Sequence, residues 1–338
     1  MYRDIKRYIN KLLLFTLPLL VFIGWYVYLD PFEIFWHYDN YYVQKSTRLS
    51  LNQGFVSLNN FDNHYDEYKW NSFIFGNSRS RYYNIEDWEN CISKESVGYH
   101  FDAHGESLLG LTKKIEYLDE RNIELKNFLI VIDAGVLGQV ESSDTHIFMI
   151  PPKLMHYSNW MKFQIANLSV FCNWEFIKIC LSLRKEQIQD ASSMEELISG
   201  ELFDYDYRTN QIKLGPAEKQ ILEGNFFNDK LIETQFSNNE YPDSISPAII
   251  GNLQKQMLDK IHDIVEKHHV NCKIVISPLW DKIKLNPKDV NCLKSLFGSK
   301  NVYDFSGTNK YTIDYHNYYE HSHYRPIVSK QIMHEIYR

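Results

Sequence analysis

The run NFLIVI at residues 127–132 consists almost entirely of large apolar residues and leads directly into Asp133. Two other short apolar runs, at residues 72–75 and 272–276, also end at a glycine or a polar residue. Unbroken runs of β-branched and aromatic residues are typical of strands that are buried on both faces of a parallel sheet. The three runs therefore predict the central strands of such a sheet.

Weaker strands are predicted at residues 96–101 and 302–305, with helices between the strands. Apolar residues recur at helical spacing in two segments: Leu108, Leu111, Ile115 and Leu118 in the first, and Ile250, Leu253, Met257, Ile261 and Ile264 in the second. Ser246 and Pro247 predict the start of the second helix, and Pro326 predicts the start of the last one. This alternation favours an α/β protein, a three-layer α/β/α sandwich with a central parallel sheet, whose active site lies at the carboxyl ends of the strands.

An uncharged apolar stretch of 18 residues, 12–29, lies near the N-terminus and meets the minimum length for one membrane-spanning helix. Basic residues outnumber acidic ones before it. The positive-inside rule then predicts a single-pass membrane protein with a cytoplasmic N-terminus and an extracytoplasmic domain, periplasmic or at the cell surface. Trp25 and Tyr28 lie where interfacial aromatic residues are expected. A cleaved signal peptide is disfavoured because residues 26–30 include no small residue, and a buried helix of a soluble protein is the third interpretation.

Three parts of the chain are predicted from these patterns. They are a cytoplasmic tail and anchor at residues 1–30, a juxtamembrane segment lying on the domain at 31–69, and the α/β domain at 70–338. The alternation of strands and helices breaks at about residues 140–247, which we interpret as an insertion that covers the active site. Within it, a long helix near residues 170–190 and a β-hairpin around residues 207–210 are predicted.

The composition argues against two classes of function. The chain has 36 Lys and Arg against 43 Asp and Glu, for a net charge of -7. A nucleic-acid-binding protein needs a basic face, so no nucleic-acid partner is predicted. The five cysteines lie far apart and form no C-x-x-C motif, which argues against a disulfide framework and a thiolate zinc site. No cofactor is predicted.

The first candidate for chemistry is Ser78, which follows the first predicted strand in the sequence Gly76-Asn77-Ser78. A serine at this place stands at the exposed carboxyl end of the sheet. It can act as a nucleophile whose own backbone N–H helps to stabilise an oxyanion. The alternative is helix capping, because Asn77, Ser78 and Ser80 are all good N-cap residues.

The second candidate is the C-terminal stretch that contains Glu320 and His323. Histidine is the usual base for a serine nucleophile, and a carboxylate three residues away can fix its tautomer. An ordinary surface-loop histidine is the alternative for His323. A zinc site formed by His321 and His323 with His316 or Glu320 is a further alternative.

The third candidate is Gly105, which lies between a predicted strand and a predicted helix. Glycine lets the backbone approach a ligand closely, so the N–H of Gly105 is a candidate second oxyanion donor. A plain turn between strand and helix is the alternative.

In this order along the chain, the three blocks resemble the SGNH, or GDSL-type, hydrolase superfamily over most of residues 70–338. The sequence is most similar to the membrane-anchored, exported members that are associated with acylation of cell-wall or capsular polysaccharides. The resemblance implies that Ser78 is the nucleophile, that His323 is the base and that Glu320 orients the histidine. Gly105 matches the glycine block of the family.

Three positions depart from the family pattern. Asn77 and Glu320 each replace the usual aspartate, and no residue clearly matches the oxyanion-hole asparagine. Asp133 stands where that asparagine is expected, and an ionised carboxylate repels an oxyanion. Loss of one donor costs about 2.7–4 kcal/mol of transition-state stabilisation. Arg79 is an alternative donor, and it is otherwise expected to bind an acidic sugar or to form a surface ion pair.

The resemblance implies acyl transfer or ester hydrolysis, with O-acetyl groups expected, on an exported polysaccharide or cell-envelope glycan. A membrane-bound acyltransferase that supplies the acyl group is the implied partner. The expected substrate-binding residues are Asn77, Arg79, Asp133, Tyr157 and Trp160. The two aromatic residues are expected to stack on sugar rings, with core packing as the alternative. Two other functions stay open: a non-catalytic module that binds polysaccharide or docks on the acyltransferase, and a metal-dependent hydrolase that uses the C-terminal histidines.

Overall fold

The computed structural model of the protein describes residues 2–42, 50–182, 203–236 and 244–338. Its strands are β1 (Ser72–Gly76), β2 (Gly98–His100), β3 (Asn127–Ile132), β4 (Asp204–Asp206), β5 (Gln211–Lys213), β6 (Asn271–Ile276), β7 (Val302–Asp304), β8 (Tyr318–Glu320) and β9 (His323–Tyr324). Its helices are α1 (Tyr2–Leu29), α2 (Gln53–Tyr68), α3 (Ile85–Glu89), α4 (Leu108–Glu120), α5 (Ala134–Gly138), α6 (Trp160–Phe171), α7 (Trp174–Ser182), α8 (Gly215–Leu222), α9 (Asp229–Phe236), α10 (Asn252–His268), α11 (Pro287–Phe297) and α12 (Pro326–Ile336).

The centre of the fold is a five-stranded parallel sheet with the strand order β2-β1-β3-β6-β7. The run at residues 127–132 forms β3, the middle strand, and pairs with β1 and β6 along its length. All six of its residues are buried, as expected for a strand that is covered on both faces. Each of the five predicted strands is present in this sheet, so the parallel α/β architecture predicted from the sequence is confirmed.

Alternate residues of each strand pack into two separate cores, because side chains of a strand point to opposite faces. On β1, Phe73 and Phe75 belong to the core that is formed with α2, α4, α10 and α11. Ile74 between them belongs to the core that is formed with α3 and α12. Helices therefore cover both faces of the sheet and produce three layers.

One predicted helix start is wrong. α10 begins at Asn252, not at Pro247. The buried carboxylate of Asp289 accepts hydrogen bonds from the backbone N–H groups of Ile249 and Ile250, at 2.8 and 3.0 Å. These bonds hold the preceding residues in a non-helical conformation, and the side chain of Ser246 accepts from the N–H of Asn286 instead of capping a helix.

Residues 31–69, predicted to lie on the domain, contain a core helix that the sequence pattern did not indicate. On α2, the Phe61 ring packs against Phe73 at 5.9 Å and against Phe101 at 5.5 Å between ring centroids. Polar residues of the same helix are buried with partners, since Ser57 donates a hydrogen bond to the carbonyl oxygen of Asp102. α2 is therefore part of the α/β domain, and its polar sequence hides its amphipathic pattern.

The region 140–247 contains the predicted hairpin and a different helical arrangement from the predicted one. β4 and β5 pair antiparallel around the turn at residues 207–210, which confirms the hairpin. Of the predicted helix near 170–190, the described residues contain α7, which begins at Trp174, and a separate helix, α6, ends before it at Phe171. Residues 183–202 and 237–243 of this region lie outside the described residues.

At the N-terminus, α1 contains a segment, Ile5–Leu29, that is long and apolar enough to cross a membrane. Its mean hydropathy is 2.2, and little of it is buried within the protein. The length and composition of α1 agree with the predicted membrane-spanning helix.

Candidate active site

Ser78 lies in a tight turn at the carboxyl end of β1. The strand ends at Gly76, whose φ of +152° is rarely adopted by other residues, and a Cβ there would lie 2.6 Å from the carbonyl oxygen of Val131. Only glycine fits this crossing. The short 3₁₀ turn that follows, Ser80–Tyr82, has Arg79 at its N-cap position, so Ser78 does not cap a helix. The serine hydroxyl is therefore free to contact another part of the chain.

That contact is His323, at the start of β9. Ser78 Oγ and His323 Nε2 lie 2.7 Å apart, across a sequence separation of 245 residues. On the other side of the ring, His323 Nδ1 is hydrogen-bonded to a carboxylate oxygen of Glu320. If Nδ1 donates to this carboxylate, Nε2 is left as the acceptor for the serine proton. The structure thus brings the three residues together in the order serine, histidine, carboxylate.

Local backbone structure holds Glu320 in place. β8 and β9 form a short antiparallel hairpin, in which β8 ends at Glu320 and β9 begins at His323. The second carboxylate oxygen of Glu320 accepts a hydrogen bond from the N–H of Ser322 at 2.7 Å. Burial raises the pKa of Glu320, but the hydrogen bond and charge of His323 and the bond from Ser322 outweigh it, so the pKa lies below its usual value. The carboxylate is ionised at neutral pH.

Asp133 lies between the end of β3 and the start of α5, and its carboxylate is paired within the site. Its Oδ2 accepts hydrogen bonds from Asn77 Nδ2 at 2.7 Å and from Arg79 Nη1 at 2.8 Å. Its Oδ1 accepts from the N–H of Val136 at 3.0 Å and so caps α5. Since the guanidinium compensates the carboxylate, the repulsion of an oxyanion that was expected from Asp133 is reduced.

Arg79 connects this network to the histidine hairpin. The ion pair that was one of its expected roles is present with Asp133, but it is largely buried and not at the surface. The side chain of Arg79 is only 18% exposed and that of Asp133 only 5%. Arg79 Nε donates to the carbonyl oxygen of Ser322 at 2.9 Å, and Nη2 donates to its Oγ at 3.0 Å. The guanidinium thus fixes the residue between Glu320 and His323, and we call Asn77, Arg79, Asp133 and Ser322 the arginine clamp.

Gly105 lies in the turn between β2 and α4, and this turn is attached to the end of β1. The N–H of Ala103 donates to the carbonyl oxygen of Gly76 at 3.2 Å. Gly105 has a φ of +56°, and a Cβ there would lie 3.0 Å from the ring of Phe148. Within the described ranges, the N–H groups of Ser78 and Gly105 donate to no other described residue. Both are available as donors, and the oxyanion role of Gly105 stays a prediction.

The same turn contains a histidine that sequence reasoning missed. His104 Nε2 is hydrogen-bonded to Arg81 Nη2. Burial, the charge of Arg81 and the nearby His323 hold the pKa of His104 well below its usual value, so this imidazole is neutral. Its position between β2 and α4 was visible in the sequence, but its partner is 23 residues away and carries no local signal.

Two histidines of the alternative zinc site are hydrogen-bonded to other side chains, although His321 Nδ1 also lies 3.3 Å from Oε2 of Glu320. His316 Nδ1 is hydrogen-bonded to Asp314 at 2.8 Å, and His321 Nδ1 to Gln235 at 2.7 Å. Among the residues that the structure describes, no three His, Cys, Asp or Glu side chains form a group suited to a metal ion. These contacts give no support to the metal-dependent hydrolase.

The two predicted sugar-binding aromatic residues, Tyr157 and Trp160, are exposed beside the start of α6. Neither is in the cores, so the packing alternative is not what the structure shows. No hydrogen bond or ring contact in the described part of the chain joins them to the serine–histidine pair. Their role in sugar binding stays a prediction.

A cavity of about 250 Å³ borders the arginine clamp through Asp133. It lies beyond the carboxyl ends of β3 and β6, where ligands bind in open α/β sheets. Its walls are mainly apolar and include Ile276, Leu279, Ile283 and Leu285.

Comparisons with known proteins gave no match. No protein-family model, no curated protein and no solved structure is significantly similar to this chain. Any functional assignment therefore depends on the geometry of these side chains and on the motifs that contain them.

Proposed function

We propose that this protein is a membrane-anchored serine esterase or O-acyltransferase of the SGNH type, with its catalytic domain outside the cytoplasm. The observation that carries this proposal is the hydrogen-bonded series Ser78–His323–Glu320 at the carboxyl end of β1. A serine, a histidine and a carboxylate in this order are the group that activates a serine for attack on an ester. The motif resemblance points to the same chemistry.

In this mechanism, His323 Nε2 takes the proton of Ser78 as Oγ attacks the ester carbonyl carbon. The N–H groups of Ser78 and Gly105 stabilise the negative oxygen that develops. The tetrahedral intermediate then expels its alcohol, which receives the proton from His323 and leaves an acyl group on Ser78. Water or a sugar hydroxyl attacks this acyl group in the same way and regenerates the serine.

We propose O-acetyl or other small acyl groups on an exported polysaccharide or cell-envelope glycan as the substrate class. The apolar cavity beside Asp133 suits an acyl group better than a sugar. A membrane-bound acyltransferase would be the acyl supplier if the protein is a transferase. Nε, Nη1 and Nη2 of Arg79 each donate a hydrogen bond within the arginine clamp. This favours a positioning role for Arg79 over direct binding of an acidic sugar.

A non-catalytic polysaccharide-binding or acyltransferase-docking module is the second candidate. The observation that favours it is Asp133, because a carboxylate supplies no N–H donor at the place where the family has an asparagine. Its side chain is already engaged with Asn77 and Arg79.

The full-length protein in detergent distinguishes the candidates when it is incubated with 4-nitrophenyl acetate and with an O-acetylated polysaccharide. We expect release of nitrophenol, release of acetate, or transfer of acetyl groups to an added glycan, each dependent on Ser78. A folded protein that binds the glycan but releases and transfers nothing, with or without membranes that contain the acyltransferase, would favour the binding module.

Glu320→Gln is expected to lower kcat for ester cleavage by about 10²–10⁴-fold, since an amide no longer fixes the required histidine tautomer. The pKa of Glu320 is below its usual value. Its contact with His323 is therefore complete above its unfolded-state pKa of about 4.3 and is lost only as the pH falls through the lower folded-state value. Steady-state rates between pH 5 and 9 should show no loss of wild-type activity caused by Glu320. If Glu320→Gln keeps the wild-type kcat, Glu320 has no role in the mechanism.

A further inference from the structure

The chain leaves α1 through a turn that is held by hydrogen bonds. Asp30 follows the last residue of α1, and its carboxylate accepts hydrogen bonds from the backbone N–H groups of Ile34, Phe35 and Trp36, at 2.8 to 3.2 Å. The indole of Trp36 donates back to the carbonyl oxygen of Val27 at 3.0 Å. The residues that follow this turn contact the domain, since the carbonyl oxygen of Tyr38 accepts a hydrogen bond from Asn63 Nδ2 on α2 at 2.9 Å.

The junction of α6 and α7 packs against α1 below the end of its apolar segment. The ring of Phe171 lies 5.4 Å from Phe22, 5.3 Å from Trp25 and 4.8 Å from Tyr26, between centroids. Phe22 is seven residues before Leu29, which is about 10 Å along a helix. The apolar segment has 25 residues. At about 1.5 Å per residue it exceeds a hydrocarbon core of about 30 Å by only a few ångströms at each end. If α1 crosses a bilayer, Phe171 lies at the level of its acyl chains.

Apolar side chains on the outer faces of α6 and α7 are left uncovered by the described part of the chain. Ile165 is 56% exposed and Trp174 is 63% exposed. Ile165 is six residues from Phe171, so its level is at most about 9 Å from that of Phe171. Other exposed apolar residues of this pair of helices are Trp160, Met161 and Leu181.

The charges on these helices suit the surface of a membrane. The only charged side chain of α6 is Lys162, which points into solvent. On α7, Glu175 is paired with Lys178 at 2.8 Å, so neither described helix presents an unpaired carboxylate. An apolar face that includes tryptophan, together with basic residues such as Lys162 and Lys178 on the polar side, is a feature of helices that lie in the membrane interface.

We propose that α6 and α7 form a second membrane contact, an interfacial helix pair whose exposed face enters the lipid bilayer beside α1. This face contacts lipid at the boundary between acyl chains and headgroups. The reason is that it adjoins Phe171, which packs against the apolar segment of α1. Two contacts instead of one prevent rotation of the domain about α1. This seating holds the Ser78 edge of the sheet in one orientation to the membrane, and it does not depend on the proposed enzymatic function.

Photo-crosslinking of the full-length protein tests this proposal. Benzoylphenylalanine replaces Ile165 or Trp174, and the protein is reconstituted into vesicles of phosphatidylcholine and phosphatidylglycerol. After irradiation, lipid adducts are measured by intact mass. Leu20, which is exposed on α1, is the positive control. Leu222 and Ile313 are the matched negative controls, since both are exposed apolar residues elsewhere on the domain.

We expect the yield of lipid adducts at residues 165 and 174 to approach that at residue 20, and to exceed that at residues 222 and 313 by about tenfold, as for side chains at the acyl boundary. Yields equal to those of the negative controls would overturn the proposal. So would crosslinks from residue 165 to a second copy of the chain, because protein would then cover this face. Absence of adducts at residue 20 as well would show that α1 does not cross the bilayer.

Discussion

Replacing Ser78 with alanine is expected to lower kcat for ester cleavage by about 10³-fold or more. In serine hydrolases, loss of the nucleophile costs about as much as loss of the complete group that activates it. The hydroxyl is partly buried and lies 2.7 Å from His323 Nε2. We expect the removal of this one oxygen to leave the fold intact. Steady-state hydrolysis of 4-nitrophenyl acetate by the detergent-solubilised protein measures this effect.

The control for this variant is Ser295→Ala. Ser295 is exposed on α11, and its hydroxyl donates to the carbonyl oxygen of Cys292 in the same helix. We expect wild-type turnover from this protein. If Ser78→Ala and Ser295→Ala are equally active, the hydrolysis does not depend on Ser78, and the proposed mechanism is wrong.

Lys114→Met is expected to lower the free energy of unfolding by about 3–5 kcal/mol, the range for removal of one partner from a buried ion pair. The ammonium group of Lys114 lies 2.6 Å from a carboxylate oxygen of Glu106, and both side chains are almost fully buried. It also donates to the carbonyl oxygens of Phe101 and Asp102, at 3.2 and 2.8 Å. The substitution leaves Glu106 as an uncompensated buried charge and removes the Lys114 donor from two carbonyl oxygens, of which that of Asp102 keeps the hydrogen bond from Ser57.

Urea unfolding followed by fluorescence measures this loss, with the neighbouring residue as the control. Lys113 pairs with Glu116 on the more exposed side of α4. We expect Lys113→Met to cost about 1 kcal/mol or less, as is usual for such pairs. The double variant Lys114→Met/Glu106→Gln should recover part of the loss because it removes both charges. Equal effects of the two lysine substitutions on the free energy of unfolding would mean that the buried pair of Lys114 and Glu106 does not stabilise the fold more than the more exposed pair.

The central sheet was predictable because its signal is local. Each of the strands β1, β3 and β6 is an unbroken apolar run, and such runs indicate a buried strand whatever the rest of the chain does. The order of Ser78, Gly105 and His323 along the chain was visible for the same reason. The rule that the carboxyl ends of parallel strands lie together places Ser78 at one edge of the sheet, and the contact of Ser78 with His323 on the separate β8–β9 hairpin was expected only from the family resemblance.

Features that depend on distant partners were not predictable. The start of α10 is set by Asp289, which binds backbone groups 39 and 40 residues away. The arginine clamp joins Arg79 to Asp133 and Ser322, which are 54 and 243 residues away in sequence. No periodicity or motif reports such pairings, although each residue of the arginine clamp was present in a stretch that the sequence analysis had selected.

Intact mass spectrometry after treatment with a fluorophosphonate tests the central claim most directly. This reagent reacts with activated serines, so it reports the state of Ser78 without knowledge of the natural substrate. We predict one adduct per wild-type molecule, located at Ser78 by peptide mapping, and none in Ser78→Ala or in His323→Ala. A folded wild-type protein that stays unmodified, or that is modified equally in Ser78→Ala, would contradict the assignment of Ser78 as an activated nucleophile.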